Sequence, residues 1–167
     1  MATPTYDLLE SVTLATAASS VTFSSIDQSY GDLILETNCK GVGGTKTVVL
    51  RFNSDGGSNY RHVVMGGTGS STGSVSGPND QMSVSGFYSF DDGTVSQITS
   101  SSFFDYSSTD KHKTVLSRSS VGSGANPGVS ASAAIWSNTA AINSILVGTG
   151  SRDWAAGSTF NLYGVAK

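Results

Sequence analysis

The residues of this chain that could do chemistry are few and poorly placed for it. They are two histidines (His62 and His112), one cysteine (Cys39), two adjacent aspartates (Asp91 and Asp92) and a loop carrying Asn53, Asp55 and Asn59. A serine-type nucleophile needs a histidine at its side and a third group to orient that histidine. His112 lies in Asp110-Lys111-His112-Lys113, a charged surface turn that offers no such partner. His62, in Tyr60-Arg61-His62-Val63-Val64, sits in a strand-like alternation and reads as a residue pairing across a sheet rather than as a ligand. Cleavage of a glycosidic bond needs two carboxyl groups about 5–9 Å apart across a cleft. Asp91-Asp92-Gly93 is instead what a tight hairpin turn requires. Asn53, Asp55 and Asn59 have the flavour of hard-cation ligands, but no bidentate Glu follows and Asn-Ser-Asp-Gly-Gly equally serves a turn. With one cysteine, two histidines and no His-Glu-x-x-His there is no zinc constellation, and Cys39 after a strand reads as a small buried hydrophobe. No phosphate-binding Gly-rich loop and no Gly-x-Ser-x-Gly elbow occurs. No catalytic, cofactor-binding or metal-ligating residues are therefore expected, and the chain reads as no enzyme.

The two tryptophans differ in kind. Trp136 ends the hydrophobic run Ala134-Ile135-Trp136 and reads as core. Trp154, in Arg152-Asp153-Trp154-Ala155, lies between glycines in what reads as a loop joining two strands. A partly exposed indole beside Arg152 makes Trp154 and Arg152 the candidate interface pair, either a subunit contact or a platform for a sugar ring.

The elements that must position these residues are strands. The chain has 167 residues, 20 of them Gly, and Ser plus Thr account for 48, whereas charged residues make up only 13%. A formal charge of −3 argues against nucleic acid as a partner, since that needs clustered Lys and Arg. No run approaches the ~20 apolar residues of a membrane-spanning helix. The opening Met-Ala-Thr-Pro-Thr-Tyr-Asp lacks the basic and apolar regions of a secretory leader, so none is expected. A single cysteine excludes an intrachain disulfide. Hydrophobic residues (37%), spread evenly, favour a folded β protein over disorder.

Helical periodicity is nearly absent; only 6–9 and 138–142 could form helical turns. The rest reads as ten or so short strands separated by Gly, Asn, Asp and Ser: 11–14, 20–23, 32–37, 45–52, 60–65, 82–90, 101–106, 113–119, 129–136, 142–147 and 159–165. The stretch 66–78 is Gly, Ser and Thr with almost nothing to bury, and is expected to be a long exposed loop or flap; 122–127 is a second loop. Strands so spaced predict two antiparallel sheets packed face to face, an all-β sandwich and most naturally a jelly roll, as one domain over 1–167. Outward-facing Ser and Thr on such a sheet would suit burial against another subunit.

Several short motifs together form a pattern: Ser19-Ser20-Val21-Thr22-Phe23-Ser24-Ser25-Ile26, Tyr30-Gly31-Asp32-Leu33-Ile34-Leu35, Leu50-Arg51-Phe52-Asn53-Ser54-Asp55, Asn59-Tyr60, Ile135-Trp136-Ser137-Asn138-Thr139-Ala140-Ala141-Ile142 and Ser158-Thr159-Phe160-Asn161-Leu162-Tyr163-Gly164-Val165. Across nearly the whole chain this resembles a family of small virion proteins of tailed bacteriophages, including cyanophages. The resemblance implies a jelly-roll β-sandwich without catalytic residues. It would serve at the virion surface as a capsid decoration (cement) protein bridging subunits of the major capsid protein, and matching the local symmetry axes of a shell would make it a homotrimer. The alternative it leaves open is a tail-fibre or receptor-binding module touching host glycans through 66–78 and Trp154. A third possibility, outside any virus, is a carbohydrate-active enzyme or lectin.

Overall fold

The computed structural model describes residues 5–43, 47–85, 95–121, 128–150 and 152–167. These residues form twelve strands and no helix. They are β1 (Tyr6–Thr13), β2 (Ser20–Phe23), β3 (Asp32–Cys39), β4 (Val49–Phe52), β5 (Tyr60–Gly67), β6 (Thr72–Asn79), β7 (Met82–Ser83), β8 (Gln97–Phe104), β9 (Lys113–Val121), β10 (Gly128–Trp136), β11 (Ile145–Gly148) and β12 (Thr159–Val165). All pairings are antiparallel. Eight strands form one sheet in the order β1-β12-β3-β8-β9-β10-β5-β6, and four form a second in the order β2-β11-β4-β7. The all-β antiparallel sandwich is as the strand spacing predicts.

The sheets meet over one core cluster, because each sheet turns one set of alternate side chains inward. β3 buries Leu33, Leu35, Thr37 and Cys39 and leaves Ile34 and Glu36 on the other face. β12 buries Phe160, Leu162 and Gly164. Gly164 has no alternative there: a Cβ would lie 2.5 Å from the Tyr30 ring, which packs flat on this backbone.

Three expectations are corrected. Residues 6–9 are strand, not a helical turn. β1 pairs along β12 with a bulge between Leu8 and Glu10, and the extra residue lets Leu9 pack against the core. Residues 138–142 also form no helix; Asn138 caps a turn by accepting the Ala140 N–H at 2.9 Å. The third correction is 66–78, which is no loop. β5 and β6 form a hairpin closed by the Thr68 N–H donating to the Ser71 carbonyl at 3.0 Å, with Gly69 at φ 86°. Low hydrophobicity did not prevent this strand because an edge strand is held by its backbone ladder and needs no buried face. The Asp91-Asp92-Gly93 turn, the 122–127 loop, the beginning of the predicted 45–52 strand and residues 86–90 of the predicted 82–90 strand fall outside the described residues.

Candidate functional site

The oxygen-rich loop is a structural corner. Asn53 and Ser54 adopt left-handed φ values of 50° and 58°, which turns the chain back on itself after β4. The Asn53 amide then donates to the Ala141 carbonyl at 2.7 Å, while its oxygen accepts the N–H groups of Asn143 and Ser144 at 2.8 and 3.1 Å. The Asp55 carboxylate accepts the Trp136 indole N–H at 2.8 Å, the Asn59 amide at 2.9 Å and the Gly57 N–H at 2.9 Å. These donors, the indole first, hold its carboxyl below the usual carboxylate range. The Asn53 and Asp55 oxygens and the Asn59 amide are thus engaged in holding the turn.

His62 is 8% exposed on the inner side of β5, cross-strand from Ala134, and burial pushes its pKa down. His112 is exposed in its turn. The Cys39 thiol is fully buried and pushed up to about 12 by loss of solvation, so it is no thiolate nucleophile at neutral pH. Among the described residues no three His, Cys, Asp or Glu side chains converge as a metal site would require. A buried cation is the residue sequence reasoning missed. Lys113 is 0% exposed, its ammonium donating to the carbonyls of Lys111 at 2.7 Å and Thr139 at 3.1 Å, and burial lowers its pKa. Its place at an inward position of β9 follows from the strand's alternation, which carries Val115 and Ser117 inward with it.

The expected interface pair does not exist as a pair. Trp154 is 0% exposed, packed edge-on to Phe160 with ring centroids 6.0 Å apart. The segment that reads as a loop is sewn to two others by backbone pairing: Trp154 exchanges N–H···O bonds with Ala18, the Val42 N–H reaches Asp153, and the Ala155 N–H reaches Lys40. This pairing drives the indole inward. Arg152 alone remains at the surface, its N–H on the Thr149 hydroxyl at 2.8 Å.

The surface that stands out is the outer face of the eight-stranded sheet. Here the usual division is partly inverted. On β8, β9 and β10 the inward positions include Thr99, Ser101, Ser117, Ser119 and Ser132, whereas Ile98, Phe104, Leu116 and Val129 face outward. Val129 is 64% exposed, Met65 59% and Ile98 54%. Three shallow depressions run together across β5, β10, β9 and β8, one of about 660 Å³ between Met65, Ile98, Arg118 and Val129. Val115 and Leu116 are adjacent in sequence, so they lie on opposite faces; such a doublet was the one signal that both faces of β9 carry apolar side chains.

No protein-family model matches the chain, and no curated protein matches it.

Proposed function

We propose that this chain is a non-catalytic structural subunit of a tailed-phage virion, most directly a decoration protein that binds the assembled head and bridges subunits of the major capsid protein. The observation that carries the reading is the outer sheet face, because exposed Met65, Ile98, Phe104, Leu116 and Val129 clustered on one side of a sheet form a face built to be covered. Among the described candidates, Asn53, Asp55 and Asn59 hold a turn while Cys39 and His62 are buried, which supports an architectural role.

The motifs behind the family resemblance support it in a second way. They meet in space as corner contacts: Tyr30 on Gly164, Asn53 with Ala141, Asp55 with Asn59 and Trp136, and the Tyr60 hydroxyl accepting the Phe52 N–H at 2.9 Å. A signature made of corners is a signature of architecture. The finer fold reading is a jelly roll in which β2-β11-β4-β7 forms one four-stranded sheet and β3, β10, β5 and β6 belong to the other. The β8–β9 hairpin is inserted beside β3, and β1 and β12 extend the far edge.

A subunit selective for the assembled shell stabilises it by mass action. The test is copy number and shell stability in the parent particle. Many copies per head, with stripped capsids bursting at lower temperature or weaker osmotic shock, is the expected result. A handful of copies would assign the chain to the tail instead, and stripped capsids of unchanged resistance would end the cement role.

A further inference from the structure

We propose that the outer face of the eight-stranded sheet is covered by a second copy of this chain, related by a two-fold axis running along β8. The proposal rests on the same apolar face as the reading above and names a second copy of the chain as the neighbour that covers it.

The sheet register carries the inference. β8 has three strands on one side (β3, β12, β1) and four on the other (β9, β10, β5, β6), so it is close to the sheet's midline. A two-fold axis lying over β8 and parallel to it sends β3 over β9 of the second copy, β12 over β10 and β1 over β5, without shifting residues along the strands. In one row of the outer face the order is Leu8, Tyr163, Ile34, Ser102, Leu116, Ala133, Val63. The axis superposes Ile34 on Leu116, Tyr163 on Ala133 and Leu8 on Val63, and sets Ser102 against its own image, so apolar or aromatic pairs flank a single hydroxyl pair at the centre. In the next row the order is Asn161, Glu36, Ser100, Arg118, Ala131. Here the axis sets Glu36 of each copy opposite Arg118 of the other.

Self-complementarity is what an isologous interface demands, because each residue must suit its image's neighbour. Arg118 makes no ion pair within the chain among the described residues, and Glu36 accepts only an exposed Ser100 hydroxyl at 3.2 Å. Both are available to each other across the interface. The size also fits. Seven strands about 4.8 Å apart and about seven residues long at ~3.4 Å each give a face of roughly 700 Å² in projection. The corrugated accessible area is larger, and standard stable complexes bury about 800 Å² per partner. The three-fold assembly expected from matching a shell's symmetry has no comparable residue pattern behind it.

The experiment is sedimentation equilibrium on the full chain at micromolar concentration, with circular dichroism as the folding control. Wild type is expected to be a dimer. Glu36→Arg and Arg118→Glu, each alone, place like charges opposite one another and should raise the dissociation constant at least about tenfold. Mixing the two variants should restore dimers at close to wild-type affinity, because in the mixed pair both facing positions again carry opposite charges. Should either reversal unfold the subunit, Leu116→Ser replaces it and is expected to give monomers. A wild-type monomer or trimer, charge variants that dimerise unchanged, or a mixture that stays monomeric would each overturn the proposal. A monomer would pass the face to a different partner.

Discussion

The inner face of the eight-stranded sheet has two ends that are stabilised by different physics. At one end Phe52 from the small sheet stands among Tyr60, Phe103 and Trp136, with centroids 5.9, 5.8 and 5.5 Å away, and Tyr60 stacks on Trp136 at 16°. Large rings fill this end, and their polar tips are satisfied by Asp55 and the Phe52 backbone. At the other end the strands offer hydroxyls: Thr99 beside Ser119, and Ser101 beside Ser117 beside Ser132. Two pairs bond across strands, Ser117 to Ser101 at 2.8 Å and Ser119 with Ser130 at 2.6 Å. Thr99 and Ser132 bury hydroxyls with no partner among the described residues. The difference teaches that the sandwich concentrates its specificity at the aromatic corner, while the hydroxyl end is permissive.

The largest effect should therefore come from the aromatic corner. Trp136→Ala leaves a cavity beside Phe52 and Tyr60 and is expected to cost about 3–5 kcal/mol, read from the urea midpoint. A loss under 1 kcal/mol would break the comparison. Next comes Asp55→Ala, which keeps the ring but strands the indole N–H and the Asn59 amide. Leaving buried donors unpaired costs about 1–3 kcal/mol. Because the carboxylate's pKa is held down, the stability Asp55 contributes is present above its unfolded pKa and is lost as pH falls through the lower folded value. Asp55→Asn should accordingly be less stable than wild type at pH 7 and converge on it in acid.

Alkali separates the two ends by order of onset. Cys39, at the hydroxyl end beside Gln97, and Tyr60, in the aromatic corner, are both pushed up to about 12. Each is held protonated in the folded chain, so its stabilising contribution is complete below its unfolded pKa and is lost as pH rises toward 12. The unfolded thiol ionises near 8.5 and the unfolded phenol near 10, so the loss begins at Cys39. Lys113 acts in the opposite sense, since its lowered pKa favours the folded state as pH rises. It is common to both proteins in a comparison of wild type with Cys39→Ala. Their stability difference should shrink from about pH 9 upward, and a difference independent of pH would show that the thiol is not held protonated.

How much of this was legible in the sequence depends on whether one face of a strand is unambiguously apolar. β2 and β12 agree with their sequence-derived bounds because Val21 and Phe23, and Phe160 and Leu162, alternate against polar neighbours. β6 was illegible because it buries little and is held through the β5 backbone, a long-range fact that its own side chains do not encode. Trp154 was misplaced for the same reason: its burial depends on backbone bridges to Ala18 and Gly41, more than a hundred residues away. The candidate surface was half legible. The outward Ser and Thr that the sequence predicts are present at Ser100, Ser102, Thr114 and Ser120, but the apolar Ile98, Phe104 and Leu116 among them, and the hydroxyls turned inward at Thr99, Ser101, Ser117 and Ser119, were not foreseen. A run such as Ile98-Thr99-Ser100-Ser101-Ser102-Phe103-Phe104 cannot declare which alternate set faces in, since both contain hydroxyls and both contain an aromatic.

The smallest expected effect is the sharpest test of the comparison. Thr99→Val preserves shape and β-branching and removes a hydroxyl that bonds to nothing among the described residues. A polar group buried without a partner is a cost, so its replacement by a methyl should leave stability unchanged or raise it by about 1 kcal/mol. Ser101→Ala at the same end removes a hydroxyl that accepts from Ser117 at 2.8 Å, and should cost about 1 kcal/mol. The two substitutions lie two residues apart on one strand face, so their difference isolates the hydrogen bond from the burial. If Thr99→Val destabilised as much as Ser101→Ala, Thr99 would be bonded after all. The hydroxyl end would then be a specified polar network, as exacting as the aromatic corner, and the contrast between the two would fail.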